Sequence, residues 1–242
     1  MTELPSFAVV IPAYNEEAGI RACVVAVTAA LAELPNRSAL IVVNDGSADS
    51  TGAELARLAR ERLVVETHPA NRGYGAALRT GTVAAAEHGF EYVVFMDSDL
   101  TNDPRSLRDF AARMADGVDV IKASRYTAGG GAAGVPGWRR ALSVVGNTVA
   151  RLLFRLPVSD CTNGFRAVRT RLLTAVELKE NGFAVIMEEL YRLRPLAASY
   201  ADVPIVLTVR TGEQRASSFS FGPRALARYL KYPLLSALGR HR

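Results

Sequence analysis

Five short apolar runs, each stopped by polar residues, occupy the first half of this chain: "FAVVIPAYNEE" (7–17), "ALIVVNDGSADST" (39–51), "RLVVETH" (62–68), "EYVVFMD" (91–97) and "VDVIKASR" (118–125). Continuous apolar character, rather than alternation, marks strands buried on both faces. Helical patterns separate them. In 16–34 the apolar residues Ile20, Val24, Val27 and Leu31 share a face; a Ser/Asp cluster caps a helix over about 51–61; 71–89 is a glycine turn opening a small-residue helix; and Pro104, with Asp103 as cap, starts another. Strands alternating with helices specify an α/β fold, a Rossmann-like, mostly parallel sheet with helices on both faces. Such sheets bind ligands beyond the carboxyl ends of their strands. The polar tips "YNEE", "NDGSADS", "NRGYG" and "DSD" all fall there.

The second half is less regular. A glycine-rich loop (127–137) is flexible by composition, and a basic helix over about 138–154 carries Arg139, Arg140 and Arg151. Residues 159–167 read as a turn, about 184–194 as a helix, 202–210 as a late strand, and 223–242 as a basic amphipathic tail. With no repeat and no linker, 1–222 is expected to form one domain and 223–242 an appendage.

Charge narrows the partners. The net charge of +5, from 29 Lys+Arg against 24 Asp+Glu, favours anionic ligands. The arginines are scattered without interleaved aromatics, so nucleic acid is not expected. Cys23 and Cys161 have neither disulfide nor metal-ligand spacing, which fits a reducing cytoplasm. The N-terminus lacks a signal-peptide pattern, and no apolar window reaches the roughly 18 residues of a spanning helix.

Asp97 and Asp99 end the fourth run. Two apart on a strand, they share a face and repel each other unless a cation lies between them. Hard carboxylate oxygens suit Mg²⁺ or Mn²⁺, completed by substrate phosphates.

The motifs "VVIPAYNEE", "VVNDGSADST", "NRGYGAALRTG" and "MDSDL" occur in the order and approximate spacing of family 2 glycosyltransferases with the GT-A fold. Further on, "ASRYTAGGG", "GWRRALSVVGN", "SDCTNGFRA", "GFAVIMEEL" and "RTGEQRASS" resemble dolichyl-phosphate (polyprenyl-phosphate) mannosyltransferases and their relatives, a likeness covering about residues 6–220. The resemblance implies an enzyme that moves a sugar from a nucleotide-sugar donor to polyprenyl or dolichyl phosphate in one inverting displacement. It places the metal on Asp97 and Asp99, with Thr101 where many relatives carry Gln. It places donor contacts on Pro12, Tyr14, Glu16, Val43, Asp45 and Ser98, with Arg210 or Arg215 reaching the diphosphate. The acceptor phosphate falls to Arg125, Arg139 and Ser143, beside a glycine-rich lid, and the two arginines join the acids in catalysis. Asp160 and Glu188 match as groups that orient an arginine or pack. GDP-mannose is the favoured donor, but Ala184 stands where close mannosyl relatives carry lysine, so a UDP-sugar competes. Other readings are a transferase with a hydroxyl acceptor, using Glu188 or Asp160 as base, and a non-catalytic nucleotide-sugar or lipid binder. His68, His88 and His241 sit in no catalytic setting. The expected location is the inner face of the cell membrane, as a peripheral protein. The tail either rests on lipid through Tyr229, Leu230, Tyr232, Leu234 and Leu235 or closes the domain as a packed helix.

Overall fold

The structure, a computed structural model, describes residues 4–58, 62–134, 137–208 and 223–239; of residues 138–140, 142 and 223–226 it describes the backbone alone. The chain begins with β1 (Phe7–Ala13), α1 (Ile20–Ala32), β2 (Ser38–Asn44), α2 (Thr51–Leu58), β3 (Leu63–Thr67), α3 (Tyr74–Glu87) and β4 (Tyr92–Phe95). A 3₁₀ turn at Pro104–Ser106, capped by the Asp103 carboxylate, leads into α4 (Leu107–Ala115) and β5 (Val120–Ser124). The second half adds β6 (Gly131–Ala132), α5 (Gly137–Phe154), β7 (Arg166–Arg169) and α6 (Thr170–Thr174). It ends with α7 (Val185–Leu193), β8 (Tyr200–Pro204), β9 (Val206–Leu207) and α8 (Pro223–Ala237).

The expected parallel sheet is present, in the order β3-β2-β1-β4-β7-β5-β8. Every pairing in it is parallel except those of β7, which runs antiparallel to both β4 and β5. β1 and β2 are buried almost throughout, as their continuous apolar sequence requires. One apolar layer packs α1, α2 and α4 on one sheet face; a second packs α3, α5, α6, α7 and α8 on the other.

Three features differ from the sequence expectation. Residues 166–169, of which 166 and 167 were expected in a turn, form a strand in the interior of the sheet, which an "RAVR" sequence with charged ends does not advertise. The late strand divides at Ile205 into β8 and β9. β9 pairs in parallel with β6, so part of the glycine-rich stretch is a hydrogen-bonded ribbon rather than a free loop.

The small residues of α3 have a packing reason. A Cβ built at Gly81 would stand 2.2 Å from Val10 Cγ1, so this helix lies closer to β1 than any side chain allows. Replacing a helical glycine with alanine ordinarily stabilises by about 0.5–1 kcal/mol. Here Gly81→Ala should instead destabilise, by about 1–3 kcal/mol, and Val10→Ala in the same chain should recover part of the loss. Denaturant unfolding of the single and double variants checks the sign.

Candidate active site

The edge formed by the carboxyl ends of β1, β2, β4 and β5 gathers most of the predicted residues. After β1 the backbone turns at Asn15, whose φ is 53°. Its N–H donates to Ser47 Oγ (3.0 Å), its Oδ1 accepts from Ala48 N–H (2.9 Å), and Glu16 N–H donates to Thr51 Oγ1 (2.8 Å). These bonds stitch the loop after β1 to the loop after β2. Pro12, Tyr14 and Glu16 stand half-buried there. Val43 is fully buried in the layer beneath α3, so its side chain offers nothing to a nucleotide.

Asp45 is 3% exposed and organises the next loop. It accepts the backbone N–H of Arg72 and Gly73, each at 2.8 Å, and its Oδ1 lies 2.6 Å from His68 Nδ1. His68 Nε2 reaches Thr80 Oγ1 at 2.9 Å, giving this histidine a structural partner on each side. The glycines of "NRGYG" serve close backbone packing. A Cβ on Gly75 would lie 2.1 Å from the Glu180 carbonyl oxygen, and Gly75 N–H donates to Asn181 O (2.8 Å).

Asp97, Ser98 and Asp99 sit in a turn beyond the last residue of β4, not on the strand itself. Asp97 accepts the Tyr74 hydroxyl (3.2 Å), and Asp99 Oδ1 accepts both the N–H (3.0 Å) and the hydroxyl (2.7 Å) of Thr101. Thr101 is thus bonded to one of the acids, and its carbonyl accepts Thr208 N–H at 2.9 Å. Ser98 is buried. Beneath the turn, burial and then the fields of Asp99, Glu16 and Asp97 push the Cys23 thiol up to about 12. Among the described residues no cluster of three or more His, Cys, Asp or Glu could hold a metal alone. Two adjacent carboxylates fit a hard divalent ion whose remaining shell is water and substrate phosphate.

The residues expected on the acceptor side centre on Arg125. Its Nε and Nη2 donate to Asp160 (2.7 and 3.1 Å), and Nη2 donates also to Thr162 Oγ1 (2.7 Å). Among the described residues Nη1 has no hydrogen-bond partner. Burial alone would raise Asp160, but Arg125 beside it holds the carboxyl below its ordinary range. Ser143, on α5, pairs with Tyr126 Oη at 2.9 Å. Arg210 and Arg215 lie outside the described residues, as does the Arg139 side chain. The loop carrying Asp160 continues to Gly164, where a Cβ would stand 3.4 Å from Asp97 Oδ2 and 3.2 Å from Tyr74 Oη. One loop therefore touches both halves of the site.

Several of these residues escaped the sequence. Tyr229, read either as a lipid contact or as part of a packed closing helix, packs partly buried against the core: burial raises its phenol, and Arg166, Asp97, Arg125 and Asp160 act on it in turn. Tyr232 is buried too, donating to Glu180 Oε1 at 2.9 Å. Glu188 Oε2 accepts the N–H of Lys179 and Glu180, both at 2.8 Å, in the segment that packs against Gly75, while Oε1 has no hydrogen-bond partner among the described residues. Below the site Arg166 and Glu189, both wholly buried, form two 2.6 Å bonds, and the guanidinium lies 4.4 Å from the Phe95 ring centre. Arg166 also donates to Gly164 O at 2.7 Å. Burial alone would lower Arg166; the Glu189 charge holds it above its ordinary range. Glu189→Gln should cost about 3–5 kcal/mol by stranding a buried cation. A double variant, Arg166→Met with Glu189→Leu, should cost less than that single change, as denaturant unfolding would measure.

Residues 8–176 match the family described as "Glycosyl transferase family 2". The chain is 34% identical over 226 residues to the dolichyl-phosphate hexose transferase of Haloferax volcanii, covering 92% of each protein. It is 32% identical over 209 residues, 84% of this chain and 77% of the other, to the polyprenol monophosphomannose synthase of Mycolicibacterium smegmatis. It is 29% identical over 217 residues, 86% of each, to the undecaprenyl-phosphate mannosyltransferase of Micrococcus luteus. Among solved structures, glucosyl-3-phosphoglycerate synthase from Mycobacterium tuberculosis, in complex with Mn²⁺, UDP and glucosyl-3-phosphoglycerate, superposes with a TM-score of 0.69. That match has 23% identity over 97% of this chain and 80% of the other; it establishes the GT-A fold. With its family match across most of the sheet and its acids at the expected edge, this chain belongs to glycosyltransferase family 2.

Proposed function

We propose that this glycosyltransferase moves a hexosyl group, mannose from GDP-mannose in the first instance, to a polyprenyl or dolichyl phosphate. The observation that carries the reading is Arg125, whose fork is fixed from behind by Asp160 while Nη1 is left for a ligand. A guanidinium held in this way suits a phosphate oxygen. Ser143, with Arg139 on the same helix, would complete the cradle. The names of the three relatives support the same acceptor class, and two of the names specify mannosyl transfer. A UDP-sugar remains the alternative donor.

Pro12, Tyr14, Glu16 and Asp45 border the nucleotide end, with Arg210 or Arg215 reaching the diphosphate. A Mg²⁺ or Mn²⁺ ion held by Asp97 and Asp99 would neutralise charge on the departing diphosphate. Arg125 aims the acceptor phosphate, whose oxygen forms the new bond to the anomeric carbon as the bond to the diphosphate breaks. That oxygen is already anionic, so no base is required. Of the two candidate bases, Asp160 is engaged by Arg125, which argues against its serving a hydroxyl acceptor. Positioning and charge neutralisation then supply the acceleration.

A peripheral location at the inner membrane face is part of the proposal. No described helix is long and apolar enough to cross a membrane. The outward side of α5 exposes Val145 at 60% and Leu152 at 71%; Leu234 of α8 and Leu238 just beyond it are exposed as well. Segments 137–155 and 223–242 hold nine of the 29 Lys+Arg and none of the 24 Asp+Glu. Segments of apolar and basic composition without acids suit anionic lipid. The contact then involves α5, with Leu234 from the tail, while Tyr229 and Tyr232 face inward.

Two experiments test these statements. GDP- and UDP-sugars are screened with Mg²⁺ or Mn²⁺ and a polyprenyl phosphate, following lipid-linked product; no product with any donor would refute the activity. In the productive pair, Arg125→Lys should raise the acceptor KM at least about tenfold and leave the donor KM unchanged. Separately, Val145→Glu with Leu152→Glu should abolish sedimentation with anionic vesicles but spare transfer to a short, water-soluble acceptor. Undiminished sedimentation would remove α5 from the contact.

A further inference from the structure

A lysine stands at full burial in the middle of β5. Lys122 has no exposed surface, and its Nζ makes one hydrogen bond, 2.6 Å to the carbonyl of Asn163. Its neighbours across the sheet are Arg166 on β7 and Asp202 on β8. An apolar side chain at this position would avoid the cost of burying an ammonium. What the ammonium holds explains its presence. Asn163 belongs to the loop whose Asp160 accepts from Arg125, Thr162 and Asn163 itself, and whose Gly164 backs onto Asp97 and Tyr74.

We propose that Lys122 is a positioning residue, pinning the Asn163 carbonyl so that one loop sets both Arg125, through Asp160, and the flank of Asp97, through Gly164. Its catalytic consequence rests on the site assigned above; the anchoring itself does not. The charged and titratable groups around the ammonium are Arg166 from β7, Asp160 and Cys161 from the loop, Glu189 from α7 and, across the sheet, Asp202 from β8. Burial, then Arg166, brings Lys122 from 10.5 down to about 8, against the opposing pull of Asp160 and Glu189. With the folded value lowered, the unfolded chain holds more protons between about 8 and 10.5. Stability therefore rises with pH across that window, and at pH 7 the charged lysine lowers it. The same deprotonation weakens the grip on Asn163.

Lys122→Met separates these effects. The full-length variant should melt at or above the parent temperature at pH 7, yet exchange its backbone amides in 160–165 about tenfold faster. Its kcat should fall about ten- to a hundredfold. The alkaline decline of kcat near pH 8 in the unmutated enzyme should be absent. Unchanged exchange in 160–165 overturns the anchoring. Faster exchange with the parent's kcat and pH profile overturns the catalytic role. Exchange in the unmutated chain, corrected for intrinsic pH dependence, should also rise above pH 8; a flat result overturns the proposal however the variant folds. If no donor supports transfer, the acceptor reading fails by itself and exchange still decides the anchoring.

Discussion

The buried pair of Arg166 and Glu189 is the constraint on which this site is built. An antiparallel strand must run between β4 and β5 to bring the 159–165 loop to the edge where the parallel strands end. That strand begins with an arginine facing the apolar layer. It is tolerated because Glu189 neutralises the guanidinium with two short bonds and the Phe95 face covers it. From this base Arg166 holds Gly164, and the loop in front carries Asp160 to Arg125. A second buried cation, Lys122, lies on the same side of the sheet. Stability and site geometry thus share one small polar layer between the sheet and α7, and such layers act as units rather than as sums of pairs.

The fold was legible where burial is uniform. Val9, Val10 and Ile11, or Leu40 to Val43, can only be interior strand, and the polar clusters ending such runs mark the ligand edge whatever the ligand. Asp97 and Asp99 stood out for that reason, whereas Asp45 and Arg125 were named through the resemblance to family 2 glycosyltransferases. What stayed hidden depends on partners distant in sequence. "RAVR" looks like surface until Glu189 is known to face it, and Lys122 inside "VIKAS" looks like an ordinary edge residue. Amphipathic spacing in the tail shows that two faces differ, but not which one meets the domain, so the lipid and packed readings of Tyr229 stood open together. The glycines of "NRGYG" were recognisable as a turn, while their reason, contact with the 180–181 backbone, required the fold.

Little acid–base equipment is assembled here. His68 is held between Asp45 and Thr80, Glu188 between loop amides, and Asp160 beneath a guanidinium. The carboxylates are committed to fixing neighbours or, at Asp97 and Asp99, to presenting hard oxygen. An arrangement of this kind suits reactions in which both partners arrive already charged and the protein supplies geometry.

Helix α5 has a consequence for delivery. Ser143 faces Tyr126, while Val145, two residues further, faces out. A helix with its side chains is only about 10–12 Å across. Whatever the outer face rests on is therefore held within about one helix diameter of the Ser143 hydroxyl. A headgroup would need to rise from that surface only by the width of a single rigid rod, and the reach of the enzyme is set by that rod rather than by the length of any tether.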